Sequence, residues 1–307
     1  MKRVLVTGGT GFIGRHCLPL LLARGYEVHS VFSKTPEDLM PDVHWHQVDL
    51  LESRQTSQLI GEIQPSSLLH LAWYANPKDY RTSPENFRWV QASLVLLQAF
   101  VRCGGERVVT AGSCAEYDWQ YGFCSEETTP LKPATVYGSC KHLLQTKVAS
   151  ISKRTGLNEA WGRIFFIYGP YEYPNRLVSS AICSLLRGEV FRCIHSNLTR
   201  DFLHVEDVAS AFVALLESDV QGPVNIGSGV PMALRDIVSK IGEKIGRLDL
   251  ICFGQVPASS DEPRLLVADV TKLRNEVSWI PRYDVDSSLR ETIRWWKENL
   301  KVNVCGE

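Results

Sequence analysis

The chain lacks any Cys-x-x-Cys pair. Its nine cysteines are scattered, and an odd count without framework spacing argues for reduced thiols rather than a disulfide scaffold. No charge of either sign is in surplus: 33 Lys and Arg stand against 34 Asp and Glu. That balance leaves no basic field for nucleic acid or acidic lipid. No apolar run approaches the roughly 18 residues of a membrane span. At the start, "MKRVLVTGG", Gly-Gly cuts the apolar stretch too short for a secretory h-region. Internal repeats and low-complexity tracts are missing as well. The expectation is a cytoplasmic protein without nucleic-acid or membrane partners. Its 307 residues suffice for one large or two unequal domains around a substantial core.

What the sequence does have is alternation. "RVLVTGGTGFIGRHCLPLLLARGYEVHSVF" reads as strand, glycine-rich turn, helix, strand: Val4 to Val6 are β-branched or apolar, then Ile13, Cys17, Leu20 and Leu21 recur at helical spacing. Strands at "VHWHQVDL", "SSLLHLAW", "RVVTAGS" and "NEAWGRIFFIYG" alternate with helices at "SRQTSQLIGEI", "NFRWVQASLVLLQAFVRCG" and "VYGSCKHLLQTKVASISKRTG". This pattern predicts an α/β fold, a doubly wound parallel sheet covered on both faces. Beyond about residue 170 proline-rich turns loosen the pattern, and a smaller mixed α/β part is expected there.

"TGGTGFIG" spaces Gly8, Gly11 and Gly14 as GxxGxxG between the first strand and the first helix, with Phe12 and Ile13 inside the turn. In that context glycines let the backbone approach a pyrophosphate, and the helix N-terminus supplies free N–H groups. An acidic residue about 20 positions further on would select NAD by binding its ribose diol. Phe32, Ser33 and Lys34 stand there instead. A hydroxyl and an ammonium suit a 2′-phosphate, so NADP is the expected cofactor, with NAD the alternative. Asp49 and Leu50 are placed to meet the adenine. His44 and His46 share a strand face, but no third ligand stands near them in sequence, and no metal site is expected.

"YGSCK" puts Tyr137 and Lys141 on one helix face. An unperturbed phenol near pKa 10 is only about 0.1% ionised at pH 7. A nearby ammonium and an oxidised nicotinamide favour the phenolate and make it a usable acid/base. A second copy, "YANPK" at Tyr74–Lys78, contains Pro77, which disfavours a helix. The strand before the Tyr137 helix ends in "AGSCAEYDW", offering Ser113, Cys114 and Glu116.

Together these segments resemble the extended short-chain dehydrogenase/reductase family, particularly its nucleotide-sugar epimerases, dehydratases and ketoreductases. The resemblance runs through "TGGTGFIG", "VDL", "HLA", "GSCAEY", "YGSCK", "RIFFIYGP", "RDFLHVEDVA" and "NIGSG" and covers nearly the whole chain. It implies a Rossmann-type dinucleotide domain, residues 1–168 with 198–226 returning to it. Residues 169–197 and 227–307 would bind a nucleoside-diphosphate sugar. It implies cofactor contacts at Leu71 and Ala72, a sugar pocket bordered by Trp73 and Phe166, and diphosphate contacts at Arg200, with Arg176 and Arg264 as further candidates. Arg200 has an alternative role, an ion pair with Asp201 or Asp207, and His204 and Asp207 read as structural. A homodimer through the helices at 87–103 and 136–154 is also implied.

Three positions depart from the family: Phe166 replaces a frequent Asn, Trp73 a small residue, and Tyr171 a histidine found in some reductases. In the opening of "GSCAEY" the family's usual hydroxyl position holds Cys114, so the oxygen-holding role falls to Ser113 or Cys114. A thiol is the weaker donor. Glu116 stands where 4,6-dehydratases carry a base, but Ala115 occupies the place of the acid beside it. The expected activity is reduction of the 4-keto group of a nucleoside-diphosphate (deoxy)hexose. A 4-epimerase, a 4,6-dehydratase and a non-catalytic dinucleotide sensor are the alternatives.

Overall fold

The computed structural model describes residues 2–33, 39–254 and 262–300. The first half alternates: β1 (Arg3–Thr7), α1 (Gly14–Ala23), β2 (Glu27–Phe32), β3 (His44–Gln47), α2 (Ser53–Ile63), β4 (Ser67–His70), α3 (Glu85–Arg102) and β5 (Arg107–Ser113). Two single 3-10 turns, at Cys114–Glu116 and Trp119–Tyr121, lead to β6 (Phe123–Cys124), α4 (Val136–Thr155) and β7 (Asn158–Ile164). Then follow β8 (Phe166–Tyr168), α5 (Leu177–Leu186), β9 (Phe191–Cys193), β10 (Thr199–His204), α6 (Val205–Glu217) and β11 (Gly222–Ile226). The remainder holds β12 (Pro231–Ala233), α7 (Leu234–Ile245), β13 (Ile251–Phe253), β14 (Leu265–Ala268), α8 (Thr271–Asn275) and α9 (Val285–Asn299).

The main sheet has seven strands in the order β11-β7-β5-β4-β1-β2-β3, with every pairing parallel. Strand order reverses between β1 and β4, and the carboxyl ends of those two strands are where a doubly wound sheet opens a ligand crevice. The strands read as apolar runs because both faces are covered. One apolar cluster joins Val4, Val6 and Val28 to Cys17, Leu18, Leu21 and the α6 residues. The other joins Leu5, Leu68 and Val108 to α2, α3 and α4.

The second sheet is mixed, β12-β10-β14-β6, with β8 also paired to β10. It takes in β6 from the middle of the chain by pairing Phe123 and Cys124 with Val267 and Ala268. A third apolar cluster packs α5, α7 and α9 through Ile182, Ile237, Ile241, Leu289 and Trp296. Among the described residues no helix is long and apolar enough to cross a membrane.

Candidate active site

A cavity of about 750 Å³ opens at the crevice and extends toward the second sheet. Its floor is the glycine turn. Gly8 has φ +75°, and a Cβ there would come within 2.8 Å of the Ala72 nitrogen, while one on Gly14 would lie 2.1 Å from the Gly8 carbonyl. The turn is therefore packed against the end of β4 at a distance only glycine permits. No side chain caps α1; the Arg15 and His16 N–H groups donate to the Gly11 and Ile13 carbonyls, which leaves those of Phe12, Ile13 and Gly14 for a ligand among the described residues. A cradle of bare backbone and uncapped N–H groups fits a dinucleotide pyrophosphate.

β4 ends in a fixed hydrogen-bond chain. The Ser93 hydroxyl donates to the Trp89 carbonyl at 2.7 Å, so it accepts from His70 Nε2 at 2.8 Å. His70 Nδ1 then accepts from Thr7 Oγ1 at 2.6 Å, whose oxygen in turn accepts the Ala72 N–H. Burial pushes His70 down to about 3, with the Lys141 charge acting the same way. A neutral imidazole thus pins Leu71 and Ala72 to the glycine turn, and both line the cavity.

The opposite wall comes from β5 and α4. Thr135 caps α4 by accepting the Gly138 N–H at 3.0 Å. A Cβ on Gly138 would sit 2.2 Å from the Ala115 carbonyl, so the helix start lies directly on the 3-10 turn after β5. This contact brings Tyr137 to Ser113. Ser113 Oγ accepts the Ala115 N–H at 3.2 Å, which leaves its own proton to donate. Burial raises the Tyr137 phenol above its ordinary pKa, and a hydrogen bond with Ser113 acts against the rise.

Lys141 is 3% exposed. Its Nζ donates to the Ala111 carbonyl at 2.9 Å and lies 3.8 Å from the Trp73 ring centroid and 5.9 Å from that of Tyr137. Burial pulls Lys141 down to about 7, and the Glu116 carboxylate acts against that shift. Trp73 is fixed by its indole N–H, which donates to Asn86 Oδ1 at 2.8 Å. Cys114 reaches the cavity, but burial raises its thiol well above the usual range, which leaves it protonated and weakly nucleophilic.

Glu116 requires a correction. It is fully buried and does not face the cavity. Its carboxylate accepts the Ser113 N–H at 2.8 Å, Trp161 Nε1 at 2.9 Å and Arg163 Nε at 2.8 Å. Arg163 also donates to the Tyr117 hydroxyl, which donates to Asn225. A carboxylate with its lone pairs so engaged anchors the end of β5 and is not a base for a sugar proton.

At the far end, Arg200 is 2% exposed. It pairs with neither of the expected aspartates but with Glu262, at 2.7 Å, and it donates to the carbonyls of Pro263 and Thr199. Asp201 instead accepts from Ser228, Gly229 and Ala268, and Asp207 from the Arg282 and Tyr283 N–H groups. Arg176 lines the cavity, with its guanidinium 5.1 Å from the Tyr80 ring, and Phe166 lies 5.3 Å beneath Arg200. Arg264 is exposed and outside the wall. Its carbonyl accepts the Thr199 N–H, and the structure does not bring its side chain together with Arg176 and Arg200 in the wall. Phe32, Ser33, Asp49 and Leu50 stand at the carboxyl ends of β2 and β3, also beyond the wall. Asp49 accepts the Leu51 N–H and Leu50 is buried. Lys34 lies outside the described residues.

Sequence reasoning missed Tyr80, Arg81, Glu172 and Glu262, all in the wall. Arg81 lies 3.7 Å from Glu262, so that carboxylate bridges two guanidinium groups. Glu172 is 7% exposed, and its Oε2 has no hydrogen-bond partner. Burial pushes it up to about 8, partly offset by Ser179 and Arg176. It follows Tyr171, whose φ of 68° is uncommon for an aromatic residue. Two side chains from distant helices contact this turn. The Arg15 guanidinium lies 4.0 Å from the Tyr171 ring centroid, and the Trp295 ring lies 4.7 Å away. No sequence signal marks Glu172, because a lone carboxylate in a proline-rich turn shows no periodicity.

A glycine-cradled crevice at the strand-order reversal, with a Tyr–Lys pair and a serine facing it, defines a dinucleotide-dependent oxidoreductase of the Rossmann type. Residues 4–227 match the NAD dependent epimerase/dehydratase family, and the chain belongs to that family. It is 27% identical to a UDP-glucuronic acid decarboxylase of Xenopus tropicalis over 98% of this chain and 73% of that protein. Among solved structures, the UDP-glucose 4-epimerase of Thermus thermophilus in complex with NAD is 26% identical, with TM-score 0.86 over 97% of this chain and all of the other. MoeE5 in complex with UDP-glucuronic acid and NAD is 29% identical, with TM-score 0.85 over the same shares.

Proposed function

We propose that the protein is an NAD(P)-dependent reductase of the 4-keto group of a nucleoside-diphosphate (deoxy)hexose. The observation that carries the reading is the placement of the Tyr137 phenol and the Ser113 hydroxyl together in the cavity wall, with the Lys141 ammonium 5.9 Å from the Tyr137 ring centroid. Reduction needs a proton donor at the carbonyl oxygen, and the protonated phenol is that form. Ser113 holds the same oxygen, and Lys141 stabilises the phenolate left behind. The bound dinucleotide supplies the hydride. The relatives named above are proteins of UDP-sugars, which supports a nucleotide sugar here, with Arg200, Arg176 and Arg81 toward its diphosphate.

With Glu116 locked in the core and Ala115 beside it, removal of the C5 proton has no evident base. That leaves redox chemistry at C4, alone or followed by loss of a carboxylate, a step that needs no such base. A 4-epimerase is the second reading, since it uses the same groups and is the activity of the Thermus relative. NADP is favoured over NAD because Phe32, Ser33 and Lys34 offer no carboxylate to a ribose diol. A homodimer through α3 and α4 belongs to the same reading, and light scattering at twice the chain mass checks it.

The deciding experiment incubates the protein with a panel of nucleotide sugars, including 4-keto-6-deoxyhexoses and UDP-glucuronate. One reduced cofactor consumed per product supports the reductase. Turnover on retained cofactor establishes the epimerase. Solvent deuterium at C5, or release of CO₂ from UDP-glucuronate, overturns both.

A further inference from the structure

Away from the cavity, imidazole and carboxylate side chains converge at the free edge of the main sheet. β2 and β3 run parallel with His29 opposite His44 and Val31 opposite His46. Side chains two apart on a strand share a face, so Glu27 and His29 meet His44 and His46. The sequence shows only the two histidines of β3 as a pair, and the register brings in the other two groups. One ligand atom each from Glu27, His29 and His44 lies within 4.8 Å of the others. His29 Nε2 is 3.1 Å from Glu27 Oε1, and the His29 and His44 rings stack with centroids 4.8 Å apart.

We propose that Glu27, His29 and His44 form a binding site for a divalent transition-metal ion of the zinc class, with His46 orienting His29. Metal–nitrogen and metal–oxygen distances of about 2.0–2.2 Å set tetrahedral ligand atoms roughly 3.3–3.5 Å apart. The Glu27–His29 pair already stands near that separation. His44 is exposed, and a rotation of its ring off the stack with His29 closes the remaining ~1.4 Å at most. Three protein ligands leave a fourth position to water.

The hydrogen bonding of His29 favours this arrangement. Its Nδ1 lies 3.0 Å from His46 Nε2, the kind of contact that fixes a ligating imidazole through its other nitrogen. Its Nε2 lies 3.1 Å from the Glu27 carboxylate oxygen, and the one proton shared in that contact is all that separates the pair from two ligand lone pairs. On binding, the ion replaces that proton, which leaves to solvent, while Nε2 and Oε1 both donate lone pairs. Arg3 stands opposite Glu27 on β1, but its guanidinium is bonded to the Ile63 carbonyl and forms no ion pair with Glu27 among the described residues. A bound ion staples the edge strand β3 to β2 at the amino-terminal ends of the strands, remote from the cavity.

The test uses the full chain, stripped with EDTA and with its cysteines alkylated to remove thiolate competition, then titrated with Zn²⁺. One ion per chain is expected. Glu27→Gln and His44→Ala should abolish that binding, and His46→Ala should weaken it about 10- to 100-fold. Retained NAD(P)H stabilisation shows that the variants are folded. Co²⁺ bound to the unaltered chain should give the visible spectrum of a low-coordinate site without thiolate charge transfer, a readout that needs no variant. No stoichiometric binding after alkylation, a thiolate spectrum, or equal affinity in both ligand variants overturns the proposal.

Discussion

At the level of single residues, three neighbouring side chains that look interchangeable in "GSCAEY" are given different work by the fold. Ser113 faces Tyr137 with a free proton, so Ser113→Ala should lower kcat by about 10²–10³, the usual scale for one lost oxyanion donor. Cys114→Ala should be mild, and steady-state kinetics of the pair separates them; a crippled Cys114→Ala with an active Ser113→Ala reverses the assignment. Glu116→Gln leaves Arg163, 1% exposed, without its counter-charge. Breaking such a pair costs about 3–5 kcal/mol, so denaturant unfolding should show a large loss of stability in every variant that removes this charge. A stable but inactive Glu116→Gln would restore the carboxylate as a catalytic base. Glu172 carries a pH signature. Its carboxyl titrates near 4.5 when unfolded and about 8 when folded, so the native state holds the extra proton between those values. Stability from this group is complete below about pH 4.5, declines as pH rises and is gone above about 8. Glu172→Gln should flatten that segment of a stability–pH curve, and an unchanged slope would refute the raised pKa.

Among the elements, legibility tracked locality. The β1–turn–α1 unit was readable because Val4–Val6, the three glycines and the spacing of Ile13, Cys17, Leu20 and Leu21 all act over a few residues. α4 was readable because Tyr137 and Lys141 need only one helical turn to meet. β6 was not: two residues have no periodicity, and Phe123 finds its partner at Val267. The engagement of Glu116 by Trp161 and Arg163 is long-range in the same way, as is the Arg81–Glu262–Arg200 bridge. The best local prediction therefore concerns the glycine turn. In Gly14→Ala the new Cβ meets the Gly8 carbonyl and Gly9 Cα at 2.1 and 2.7 Å, both backbone atoms that cannot step aside. The turn must open, and thermal stabilisation by dinucleotide should vanish while the apolar clusters keep the chain folded. Undiminished stabilisation would mean that the turn is not the pyrophosphate cradle.

For the molecule as a whole, the cofactor preference is an integral property that melting can report. NADPH should stabilise the protein more than NADH at equal concentration; a ligand at 100 times its Kd adds about 2.7 kcal/mol. Equal or greater stabilisation by NADH would remove the case for a 2′-phosphate site. The grip on Tyr171 has a consequence at this scale too. Arg15 belongs to the first helix after the glycine turn and Trp295 to α9, so the opening and the closing helices of the described chain both contact one aromatic ring on a left-handed backbone. Glu172 is the next residue of the same turn. A loosening of α9 is thus also a loosening of the turn that puts Glu172 in the cavity wall, and the last described helix acts as a stay on the candidate active site.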